Sequence, residues 1–132
     1  MSRHASIRHL ALATCLAAAV ALPAFALADD GDVRRLGQCS KSANSNIKLS
    51  PENGRIEVEF FVDPSRFGQT WRVILKRNRK VVVRSRATTN RTTGWFTFRR
   101  SLHNRRGAPD KVVGYAKGPT GEFCRAVAVL PA

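Results

Sequence analysis

Acidic residues, histidine and helical periodicity are all scarce in this sequence, and each scarcity excludes something. Among 132 residues, nine are Asp or Glu and three are His, against 23 Lys and Arg. Carboxylates so few and scattered leave little for oxygen-ligated metals, and His103 is the only histidine past the first ten residues, so imidazole clusters of the zinc type are excluded. Ser101, His103 and Asp110 lie close in sequence, but proximity is not the geometry of a Ser-His-Asp triad, and His103 reads as a solvated residue of the basic loop His103–Asp110. Glu57 and Glu59 share one strand face, where they suit Arg partners better than the apolar setting a glycosidase acid needs. Gly118-Pro119-Thr120-Gly121 has turn chemistry and does not form a phosphate-cradling loop. The chain is expected to be no enzyme, to hold no metal and to need no cofactor.

Long apolar runs are missing too, with one exception at the amino terminus. Arg3 and Arg8 precede an apolar stretch from Leu10 to Leu22, Pro23 interrupts it, and Ala26-Leu27-Ala28 offers the small-x-small pattern of a signal-peptidase site. Thirteen apolar residues are too few to span a bilayer, which takes about twenty. Residues 1–28 are therefore expected to be a cleaved secretory signal, and 29–132 a single exported domain of 104 residues, extracellular or associated with the cell wall. Leu12-Ala13-Thr14-Cys15 loosely resembles a lipidation box, but Thr14 precedes the cysteine and the apolar run continues beyond it. No other segment is long and apolar enough for a membrane span.

Cysteine is sparse in a telling way. Beyond Cys15 only Cys39 and Cys124 remain, one near each end of the exported part, and an even pair in an oxidising compartment is expected to form a disulfide. Closing so long a loop contributes on the order of 4 kcal/mol in the chain-entropy description.

What the sequence has in abundance is positive charge. Without Arg3 and Arg8 the formal +14 of the whole chain becomes +12, enough to draw the protein to polyanions whatever its task. The densest stretch is LKRNRKVVVRSR, Leu75 to Arg86. Lys76, Arg77, Arg79, Lys80, Arg84 and Arg86, joined by Arg99 and by Trp95 as a stacking platform, are the candidate anion-binding residues, because polyanion recognition needs several cations on a rigid support with exposed aromatic surface. No zinc finger, helix-turn-helix or RNP-type strand is present, so no specific nucleic acid is expected. The expected partner is an anionic cell-envelope polymer or an acidic protein. The alternative is a secreted protein–protein effector or protease inhibitor, acting through the loop Asp63–Gln69 or His103–Asp110. Oligomeric state is left open.

Alternation of period two runs through the chain. Strands are expected over Asn46–Ser50, Arg55–Val62, Thr70–Lys76, Lys80–Thr89, Gly94–Leu102, Lys111–Lys117 and Glu122–Leu130. Turns fall at Pro51–Gly54 and Arg77–Arg79, and loose ends at Asp29–Gly37 and Pro131–Ala132. Ile56, Val58, Phe60 and Val62 face inward, as do Trp71, Val73, Leu75, Phe96 and Phe98. About seven short strands in a hundred residues predict an all-β fold, a single antiparallel two-sheet sandwich of immunoglobulin-like architecture.

The run of signals from Gly37-Gln38-Cys39-Ser40 through Gly54 to Phe60, Asp63 with Arg66, Gly68-Gln69-Thr70-Trp71, Gly94 with Phe96, Arg105-Arg106-Gly107 and Gly121-Glu122-Phe123-Cys124 resembles a family of small secreted actinobacterial β-proteins. The resemblance covers almost all of the exported part and implies a secreted context. That family has no established activity, so it carries over no catalytic or binding residue.

Overall fold

The computed structural model describes residues 31–132, so the expected signal segment, residues 1–28, and Cys15 lie outside the described residues. Nine strands follow in order: β1 (Val33–Leu36), β2 (Gln38–Cys39), β3 (Asn44–Glu52), β4 (Arg55–Asp63), β5 (Thr70–Arg77), β6 (Lys80–Thr88), β7 (Phe96–His103), β8 (Asp110–Lys117) and β9 (Phe123–Leu130). They form two antiparallel sheets, a first of order β1-β3-β4-β7 and a second of order β2-β9-β8-β5-β6. No helix among the described residues is long and apolar enough to cross a membrane.

Alternation builds the core as expected. Ile56, Val58, Phe60 and Val62 of β4 and Trp71, Val73 and Leu75 of β5 are buried, and each such side chain contributes roughly 1.5–3 kcal/mol on leaving water. The two sheets come close where Phe60 lies against Gly114 of β8. A Cβ there would stand 2.9 Å from the ring, so only glycine lets the phenylalanine rest on the opposing backbone.

Two strands exceed the seven expected: Val33–Leu36, within the stretch expected to be loose, and Gln38–Cys39, just beyond it. Val33–Leu36 pairs with Ile47 and its neighbours in β3, Val33 packs on the core, and Asp32 bridges to Lys48 at 2.8 Å. Beyond Gly37 the chain changes sheets, and Gln38–Cys39 pairs with β9, setting Cys39 directly opposite Cys124. The Cys39–Cys124 disulfide forms, fastening the first strand of the second sheet to the last. The turn at Pro51–Gly54 is shorter than expected. Pro51 and Glu52 continue β3 beyond the stretch that β1 covers, and Asn53 and Gly54 alone, both at positive φ, reverse the chain.

Candidate functional site

The hairpin that drew attention in the sequence does not act as one cluster. Asn78 and Arg79 form its two-residue turn, with φ of 46° and 70°, the mirror-image geometry that suits a twisted hairpin. Asn78 anchors this turn to the start of β8: its N–H donates to the Lys111 carbonyl at 2.9 Å, and its Oδ1 accepts from the Lys111 N–H at 2.9 Å. Arg79 and Lys80 are left exposed at the tip.

Arg77 is not a free cation. Its Nε donates to Asp110 Oδ1 at 2.6 Å and an Nη donates to the His103 carbonyl, with side-chain exposures of 10% for Arg77 and 4% for Asp110. One guanidinium thus ties the end of β5 to the start of β8 and across to β7 of the other sheet. The same contacts occupy Asp110, while Ser101 Oγ accepts from Arg55 Nε, so Ser101 and Asp110 each have partners other than His103. Arg99 and Trp95 also leave the cluster. Both belong to the outer side of the first sheet, where Arg99 pairs with Glu59 at 3.2 Å and the Trp95 ring lies 5.5 Å from that of Phe61.

Lys76, Arg84 and Arg86 remain, and the fold adds partners that alternation within one strand cannot supply. Arg72 stands directly opposite Arg86 on one side and Lys117 on the other, and Lys117 stands opposite Phe123. The next row along the strands runs Arg84, Ile74, Tyr115, Arg125. Neighbouring strands lie about 4.8 Å apart and same-face rows about 7 Å apart, so the outward face of the second sheet carries a lattice of cations around an aromatic centre. Tyr115 forms that centre, with Lys76 Nζ 5.2 Å and the Arg125 guanidinium carbon 5.8 Å from its ring centroid. The Phe123 ring lies 5.9 Å away. Shallow depressions run across this face, one lined by Arg72, Lys76, Tyr115, Lys117 and Phe123, another by Arg72, Arg84, Ser85 and Arg86.

No acid among the described residues projects from this face. Asp32 is taken by Lys48 beside the first sheet, and Glu52, Glu57, Glu59 and Asp63 belong to β3 and β4. Asp110 is buried with Arg77, and buried Glu122 accepts from the Ala43 N–H at 3.0 Å. Nor is there a group of three or more His, Cys, Asp or Glu among the described residues that could hold a metal ion. Such a surface can bind an extended anion by ion pairing and present ring faces to its uncharged parts.

Comparison with known proteins leaves the site to speak for itself: no protein-family model, no curated protein and no solved structure matches the chain.

Proposed function

We propose that this is an exported, non-enzymatic binding module that holds an anionic polymer of the cell envelope or its surroundings against the outward face of the second sheet. The observation that carries the reading is the row Arg86, Arg72, Lys117. Like charges directly opposite on neighbouring strands destabilise a sheet by some tenths of a kcal/mol per pair. Two such pairs in succession, with no acid interposed, are a cost that a bound polyanion removes. For the architecture the reading is an immunoglobulin-like sandwich, supported by the run of β3 to β9 as three strands, β3-β4-β7, against four, β9-β8-β5-β6, which parallels the immunoglobulin order with its fourth strand omitted and one strand added beside the third. On this reading the short β1 and β2 are additions at the amino-terminal side of a seven-strand sandwich.

The test is retention of the oxidised, exported protein on immobilised heparin and on purified cell-wall polymer as salt is raised. A triple variant Arg72→Gln, Arg86→Gln, Lys117→Gln is compared with Arg79→Gln, Arg105→Gln, Arg106→Gln, which removes the same charge elsewhere. The face variant is expected to bind about tenfold more weakly than its control, with a shallower salt dependence because fewer counterions are displaced. Equal elution of the two would mean that net charge alone governs retention, and the reading would fail.

A further inference from the structure

The loops Asp63–Gln69 and Thr89–Trp95 meet at the end of the sandwich where β4 ends and β5 and β7 begin. Their contact is built in detail. The Arg66 N–H donates to the Gly94 carbonyl at 3.3 Å, the Gly68 N–H to the Thr89 carbonyl at 3.2 Å, and the Thr89 N–H to the Gln69 carbonyl at 2.8 Å. Thr89, buried at the junction, accepts the Gln69 N–H on its hydroxyl at 2.8 Å. Gly94 has φ of 80°, and a Cβ on it would stand 3.1 Å from the Arg66 nitrogen and 3.4 Å from the Phe67 ring, so the two loops close only over glycine.

This rigid frame displays apolar surface outward instead of burying it. Phe67 is 65% exposed with its ring against Gly94, and Trp95, the next residue, is 38% exposed and rests on Phe61. The Arg91 side chain runs beside Gly68, and Arg66 and Arg91 are both exposed. Asp63, the acid of this loop, is engaged by the loop itself, accepting from the Ser65 N–H at 2.8 Å and the Ser65 hydroxyl at 3.3 Å. The result is a pair of exposed aromatic side chains with two exposed arginines beside them, on loops tied together by backbone hydrogen bonds.

We propose that this tip is a contact for an anionic lipid surface, with Phe67 and Trp95 entering the interfacial layer and Arg66 and Arg91 meeting the headgroups. Aromatic rings favour the boundary between headgroups and acyl chains, and basic residues beside them gain from a negative surface potential. A projecting ring inserts into a fluid layer without needing a shaped pocket, whereas a protein partner would have to supply one. The net charge of the exported chain brings the protein to such a surface, and the row Arg86, Arg72, Lys117 lies at the same end of the sandwich, where β5 begins and β8 ends. The proposal does not rest on that row.

Trp95 supplies the readout, because the other tryptophan, Trp71, is buried at 1% exposure. The exported, oxidised protein is mixed with phosphatidylcholine vesicles with and without phosphatidylglycerol, and partition and tryptophan emission are measured. Partition and a blue shift are expected only with phosphatidylglycerol, with the shift absent in Trp95→Phe. Phe67→Ser should lower partition about tenfold or more while eluting from heparin with the parent protein. An unshifted emission, equal partition of Phe67→Ser and parent, or a parallel loss of vesicle and heparin binding in that variant would each overturn the proposal. So would the absence of partition into phosphatidylglycerol vesicles, the result expected if Phe67 serves a protein partner instead.

Discussion

Arg79 holds a backbone conformation that glycine adopts at no steric cost, with φ of 70° in a two-residue turn. A side chain in this region costs about 1–2 kcal/mol, partly offset by the greater freedom glycine has in the unfolded chain. Arg79→Gly is therefore expected to raise stability by about 1 kcal/mol, seen as a thermal midpoint higher by roughly 5 °C; a lower midpoint would show that the Arg79 side chain secures the turn. Two residues earlier the balance is opposite at Arg77, which with Asp110 forms a mostly buried pair. Asp110→Ala would strand a guanidinium, and denaturant unfolding should show a loss of about 3–5 kcal/mol. Arg79→Ala should show none. Arg77 and Arg79 look alike in the sequence because the difference lies in Asp110, a partner 33 residues away from Arg77. Charge reversal at Arg77 would consequently test folding and not ligand binding.

The strands themselves were legible wherever alternation ran for more than four or five residues, as in Arg55–Val62 with its buried Ile56, Val58, Phe60 and Val62. The short β1 was not, since Val-Arg-Arg-Leu has no alternating pattern and its place depends on what β3 offers. Part of that place is electrostatic. The Lys48 ammonium, hydrogen-bonded to Asp32, holds the Asp32 carboxyl below its ordinary 3.8. The carboxylate in turn raises Lys48 above its ordinary 10.5. A lowered carboxyl stabilises the fold above its unfolded value and loses that contribution as pH falls through the folded one; a raised amine is the converse, losing its contribution as pH rises through the folded value. The tie thus acts fully between about 3.8 and 10.5. Amide exchange in Val33–Leu36, corrected for intrinsic rates, is expected to accelerate on acidification below that window, ahead of β8 and β9, and to lose this step in Asp32→Asn. Equal acceleration in all three strands would place the acid-sensitive group elsewhere. The edge strand β6 of the second sheet is managed differently. Its register shifts beside Leu75, leaving Val82 as an extra residue, and Arg84 and Arg86 line its outward side. Bulges and charge on an edge strand discourage pairing with other chains.

At the scale of the molecule, the sandwich sorts its charges by sheet. The outward side of the first sheet carries Glu57 and Glu59 as well as Arg99, whereas the second carries cations alone beside Tyr115 and Phe123. Half of this was readable in advance: alternation over Thr70–Lys76 already turned Arg72 and Lys76 outward. The rest was not, because no strand encodes the register of its neighbours. Lys117 and Arg125 join the lattice only when β8 and β9 are laid beside β5. Trp95 and Arg99 leave it for a similar reason, since the chain between β6 and β7 crosses to the other sheet.

If the cationic row of the second sheet is held at a cost to stability for the sake of an anionic partner, Arg72→Glu should separate stability from binding. This change places one carboxylate between Arg86 and Lys117 and converts two like-charge pairs into two opposite ones. Its thermal midpoint and its heparin retention would be measured beside Arg106→Glu, an identical charge change in an exposed loop. Arg72→Glu is expected to gain about 1 kcal/mol of stability while binding at least tenfold more weakly than Arg106→Glu. Co-elution of the two variants, or a loss of stability in Arg72→Glu, would contradict it.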